Sequence, residues 1–167
     1  MKYYAVIDTN VLVSSMLTSN PASTIARIVD AIRQDCIIPM YDDAILDEYQ
    51  NVLSRDRFGF NVDRVKELIS LMRDKGICCE RKTVSEIFPD PDDIVFYEVA
   101  MSREDSYLVT GNLKHFPKNG RVVSPAEMLY IIEYGLNNPT QLCEPEGPYY
   151  LPIPLEEINA IIRHYRN

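Results

Sequence analysis

Short apolar runs rich in β-branched and aromatic residues alternate along this chain with longer stretches whose apolar positions recur every three or four residues. The first run, Tyr3-Tyr4-Ala5-Val6-Ile7, is continuous enough for a strand buried on both faces, and it stops at Asp8-Thr9-Asn10. Val11 to Leu17 fits either a short helix or a loop. Asn20 and Pro21 read as an N-cap and a first-turn proline for a helix reaching Arg33, with Ile25, Ile28, Val29 and Ile32 on its inner side. A second strand is expected over 36–40. The helix after it begins at Asp42 or Asp43 and carries Ile45, Tyr49, Val52 and Leu53 as its stripe. A further helix spans 61–74 and ends at Gly76, and residues 77–82 read as a third strand. Asp90-Pro91-Asp92-Asp93 marks another helix start, 106–110 a fourth strand ending at Thr110-Gly111-Asn112, and 113–117 a turn holding His115. A last short strand over 121–123 leads into Ser124-Pro125-Ala126-Glu127, a capping box.

Strands alternating with helices in this way predict an α/β sandwich: a central parallel sheet, helices on both faces and right-handed connections, of Rossmann-like type. This domain is expected to fill 1–136. Beyond it the periodicity stops. Pro139, Pro145, Pro148, Pro152 and Pro154 mark an extended arm, followed by a short helix with Leu155, Ile158, Ile161 and Ile162 on one side, so that 137–167 forms a second unit. A helix that short is marginal by itself and must dock on something.

With 167 residues and 46% hydrophobic content the chain can bury a real core. Its net charge of −8 offers no global positive field, so a nucleic-acid partner has to be held by a local basic patch or through metal ions. All apolar runs are short, and the N-terminus enters a strand at once. The expectation is therefore a cytoplasmic protein without a membrane segment. Cys36, Cys78, Cys79 and Cys143 lack the spacing of a zinc knuckle or a redox pair, and read as reduced thiols.

The acids change the picture. Asp8 stands where a strand ends, which is where ligands sit in open α/β sheets, although on these residues alone capping the following turn is the simpler use for it. Glu48 falls on the apolar stripe of its helix, a costly position for a carboxylate unless it is paired or holds a metal; Arg55 and Arg57 are candidate partners. Asp90, Asp92 and Asp93 cluster at a helix start. Carboxylates that converge repel one another unless a divalent cation resolves the conflict, and hard oxygen donors favour Mg²⁺ or Mn²⁺ over zinc.

Taken together, Asp8-Thr9-Asn10 after the first strand, Glu48 in the helix after the second, Asp90-Pro91-Asp92-Asp93 and Leu108-Val109-Thr110-Gly111-Asn112 followed by Lys114-His115-Phe116 resemble the PIN-domain nucleases, specifically their bacterial toxin branch. The likeness spans 2–134. It implies a metal-dependent ribonuclease of toxin-antitoxin type, with RNA as substrate, a small antitoxin protein as partner and a homodimer as the expected assembly. Carried over by position, Asp8 is the central metal ligand, Glu48 the second acid and Asp93 the third, with Asp92 as its competitor. Asn112 stands where the family often has a fourth aspartate, and His115 where some relatives place a further acid. Phosphate contacts fall to Thr9, Asn10, Thr110 and Asn112, with Lys114, Lys118 and Arg121 as basic candidates.

Two other functions compete. Asn112 in place of an acid suits a degenerate, non-catalytic PIN-fold module that binds RNA or an antitoxin-like partner. A phosphatase of the aspartyl-phosphate kind wants a second Asp two residues after the first, and Asn10 occupies that place. The closing segment Pro154 to Arg163 also resembles the end of small antitoxins. On that likeness the last helix lies on the catalytic groove with Arg163 or Arg166 toward the acids; a structural or dimer-bracing helix is the alternative.

Overall fold

The structure, a computed structural model, describes residues 1–135 and 155–166; the proline-rich arm expected over 137–154 lies outside the described residues. Five strands form one sheet: β1 (Tyr3–Ile7), β2 (Ile37–Tyr41), β3 (Ile77–Cys78), β4 (Ser106–Val109) and β5 (Val122–Val123). Their order is β3-β2-β1-β4-β5, and every pairing is parallel. Between them run α1 (Thr9–Leu17), α2 (Thr24–Arg33), α3 (Asp43–Leu53), α4 (Val62–Lys75) and α5 (Ile94–Ala100). After the last strand come α6 (Pro125–Tyr134) and α7 (Leu155–Arg166). The chain steps from β1 out to β3 and then returns to the other side of β1, which by the right-handed rule puts helices on both faces. Accordingly α2 packs with α4 and α6, while α5 lies across β1, β2 and β4.

The centre of the sheet is dry. Ala5, Val6, Ile7, Leu108 and Val109 have no exposed surface, as expected for parallel strands covered on both sides. Pro39 stands within β2 although proline cannot donate to a ladder. Its carbonyl faces the β3 side, 2.7 Å from where a Cβ on Gly76 would stand, so the missing donor points to the same side, where pairing begins only at Met40 and Ile77. That close approach is why residue 76 has no side chain.

Several local expectations need adjustment. The segment after Asp8 is a helix and not a loop, and its residues from Thr9 to Ser14 are all buried, so no periodicity marks it. The cap of α2 is Ser23, whose hydroxyl accepts from the Ala26 amide at 3.1 Å; Asn20 instead closes a turn by accepting from the Ala22 amide at 2.9 Å. The third strand is limited to Ile77–Cys78, because β2 offers it only Met40 and Tyr41 as partners. The capping box at Ser124 and Glu127 is formed in both directions. Among the described residues no helix is long and apolar enough to cross a membrane.

Candidate active site at the ends of the central strands

The order β3-β2-β1-β4-β5 puts the topological switch point between β1 and β4, and the crevice outside the carboxyl ends of those two strands is where such sheets bind ligands. Asp8 follows β1 and Thr110 follows β4. The Asp8 amide still donates to the Val109 carbonyl at 2.9 Å, so the two strand ends are held in register up to the crevice.

Asp8 occupies the N-cap position of α1, yet its carboxylate accepts no capping hydrogen bond. It turns instead toward the crevice, where Oδ2 accepts from the Thr110 hydroxyl at 2.6 Å and from Asn10 Nδ2 at 2.8 Å. Asn10 also fastens the neighbouring strand end, its Oδ1 accepting from the Gly111 amide at 3.0 Å. Thr110 Oγ1 in turn accepts from the Asn112 amide at 2.9 Å. One hydroxyl and one amide side chain thus fix the carboxylate and both loops at once. Thr9, Asn10 and Thr110, expected to face phosphate, are buried with their polar atoms engaged in holding the acids.

Glu48 enters from α3. It is 8% exposed, and its Oε1 accepts from the Thr9 hydroxyl at 2.5 Å, which ties the second acid to the first turn of α1. The next residue, Tyr49, is fully buried and donates its hydroxyl to the carbonyl of Ile7, the last residue of β1. Burial pushes the Tyr49 phenol well above its ordinary range, and the negative charges of Asp8 and Glu48 push it further in the same direction. In the sequence Tyr49 reads only as part of an apolar stripe. The available signal was its hydroxyl, which needs a partner once buried.

The third acidic point sorts itself by position in one 3-10 turn, Pro91–Asp93. Asp90 caps the turn by accepting from the Asp92 amide at 3.0 Å, Asp92 is exposed, and Asp93 is 4% exposed. Asp93 begins α5 without using its side chain as a cap. Its Oδ2 stands 3.1 Å from Nδ1 of His115, which lies in the 3-10 turn Leu113–His115 beyond β4. Asn112 is half-buried, Lys114 and Lys118 are exposed, and Arg121 donates to the Arg103 carbonyl.

The donors gathered here are carboxylate, amide and hydroxyl oxygens, a hard set that suits Mg²⁺ or Mn²⁺. Among the described residues, however, no three His, Cys, Asp or Glu side chains form a ready cation cluster. Thr110 and Asn10 orient Asp8, Thr9 meets Glu48, and His115 meets Asp93. A last contact comes from far along the chain: Asn159 of α7 places its Oδ1 3.4 Å from Asn10 Nδ2, and α7 packs on α1 and α3.

A family model described as a PIN domain matches residues 4–114, which includes Asp8, Glu48, Asp93, Thr110 and Asn112. No curated protein and no solved structure is detectably similar to the chain.

Proposed function

The chain belongs to the PIN-domain family, whose members are in general metal-dependent nucleases, and from that premise we propose that it is a Mg²⁺- or Mn²⁺-dependent ribonuclease. The observation that carries this reading is the pair of hydrogen bonds from Thr110 and Asn10 to Asp8, which aim a buried carboxylate into the switch-point crevice instead of at the helix it could cap. Asp8, Glu48 and Asp93 would hold the ion, with Asp93 preferred to Asp92 because only Asp93 is buried beside the strand ends. A bound divalent ion supplies a more acidic water and neutralises charge building on the scissile phosphate.

This chain's own residues do the positioning. Thr9 orients Glu48, Asn10 and Thr110 orient Asp8, and His115 orients Asp93. Asn112, half-buried in the loop after Thr110, would supply a neutral amide, and Lys114, two residues on and exposed, would offer a charge to the RNA backbone. A toxin role, with a small antitoxin as inhibitor and a homodimer as the working assembly, is part of the same proposal and rests on the resemblance noted above.

Replacing Asp8 with Asn keeps the shape and removes the charge. The expected result is loss of Mn²⁺-stimulated cleavage of single-stranded RNA by an otherwise folded protein; cleavage that persists at the wild-type rate overturns the assignment. The second reading, a binding module without catalysis, is favoured by Asn112 and by the lack of a ready three-acid cluster among the described residues. Calorimetric titration with Mn²⁺ separates the two, since a degenerate crevice would take up little metal.

A further inference from the structure

The peptide group that joins Ile7 to Asp8 is held from both sides. Its N–H donates to the Val109 carbonyl of β4, and in a trans peptide the C=O points the opposite way, toward the β2 side. The register between β1 and β2 runs from Tyr3 and Ile37 to Ala5 and Pro39, so it stops before Ile7. The Ile7 carbonyl is taken instead by the Tyr49 hydroxyl, which comes from the helix that follows β2. The tie is repeated one step along each segment, where Thr9 donates to Glu48 at 2.5 Å. Asp8 therefore stands between two residues that are fastened to Tyr49 and Glu48 in turn. The ring of Tyr49 reaches the third acid's element as well. Its centroid lies 6.4 Å from that of Phe96, about one turn beyond Asp93 on α5, and neither ring has exposed surface. A ring packed so closely cannot shift without moving its neighbours.

One uncharged side chain thus joins β1, α3 and α5, the elements that present Asp8, Glu48 and Asp93. We propose that Tyr49 is a positioning residue that fixes the spacing of these three acids, and that the fixed spacing makes the crevice select a small divalent ion over a large one. The inference rests on the metal-dependent reading given above and adds the source of its ion preference. The reason lies in coordination geometry. Mg²⁺ demands near-octahedral oxygen donors at about 2.0–2.1 Å, whereas Ca²⁺ accepts flexible arrangements at about 2.3–2.6 Å. Acids held at one spacing suit the stricter ion, and acids free to part lose more affinity for it than for the tolerant one.

The test compares the loss of one phenol hydroxyl at each end of β1 in the full chain. Tyr49→Phe keeps the ring on Phe96 and removes the bond to Ile7; Tyr3→Phe removes the bond that Tyr3 donates to the Ile131 carbonyl at 3.1 Å, at the far end of the strand. Binding of Mg²⁺ and, separately, of Ca²⁺ is measured by calorimetry on wild type, both variants and Asp8→Asn, with far-UV circular dichroism confirming each fold. In Tyr49→Phe the Kd for Mg²⁺ should rise about tenfold or more, the usual cost of losing a group that orients metal ligands. The Kd for Ca²⁺ should change by a smaller factor, so that the preference for Mg²⁺ shrinks, while Tyr3→Phe keeps the wild-type preference. An unchanged preference in folded Tyr49→Phe, with binding lost in Asp8→Asn, overturns the role of Tyr49 and leaves the metal-dependent reading standing. A preference that shrinks equally in Tyr3→Phe overturns it too, since any lost phenol bond then has the same effect. Wild-type protein that binds neither ion, or binds them as well after Asp8→Asn, overturns the metal-dependent reading and this inference with it.

Discussion

Thr110 shows how much one hydroxyl can hold in place. It donates to Asp8, accepts from the Asn112 amide and is fully buried, so the loop after β4 and the acid after β1 depend on the same atom. Thr110→Val preserves the shape and removes both bonds. A buried group left without its partner costs about 1–3 kcal/mol, so the urea midpoint should fall accordingly. Activity should fall further, by roughly tenfold to a hundredfold, as is usual when a residue that orients a metal-binding carboxylate is lost. Equal kcat/KM in wild type and variant would show that Asp8 is held without Thr110. The choice between Asp92 and Asp93 belongs to the same scale. Two adjacent aspartates cannot be told apart by type, and only the 3-10 turn that directs one inward and leaves the other in water separates them.

At the scale of elements, legibility followed the strength of the pattern. The strands around Val6 and Leu108, the stripe of α3 with Glu48 upon it and the capping box of α6 were all readable, because each buries one face or both in a regular period. α1 was not readable, since burial all round its first six residues erases the contrast that marks a helix. The cap of α2 was misplaced by three residues because Asn20 and Ser23 are both good caps, and which one serves depends on the turn between them. The apolar side of α7 could be read through Ile158 and Ile162, but nothing local in the sequence says that it lies on α1 and α3. Gly76 offers a direct check on element packing. It passes so close to the Pro39 carbonyl that an added methyl would strike backbone, which cannot swing aside. Gly76→Ala should lower stability by about 1–3 kcal/mol, read from denaturant unfolding. An unchanged midpoint would mean that β2 and the start of β3 are farther apart than described.

For the whole molecule, the buried phenol of Tyr49 couples the site to global stability. Its raised pKa means that the unfolded chain gives up the phenolic proton at lower pH than the folded one. Its contribution to stability is therefore complete below about pH 10 and is lost as pH climbs from there through the folded value. Thermal midpoints should hold level up to that pH and then decline, and Tyr49→Phe should decline less steeply; parallel curves would place the alkaline loss elsewhere. A different consequence follows from the bond between Thr110 and Asp8, whose partners are 102 positions apart. Closing a loop of that length costs about 4 kcal/mol in chain entropy, and contacts so distant in sequence form late and slowly. A polypeptide emerging from the ribosome has its first acid outside long before the second strand end arrives to meet it. The crevice therefore cannot be assembled until β4 and the loop after it have left the ribosome, so two thirds of the chain must be made before Asp8 meets its partner.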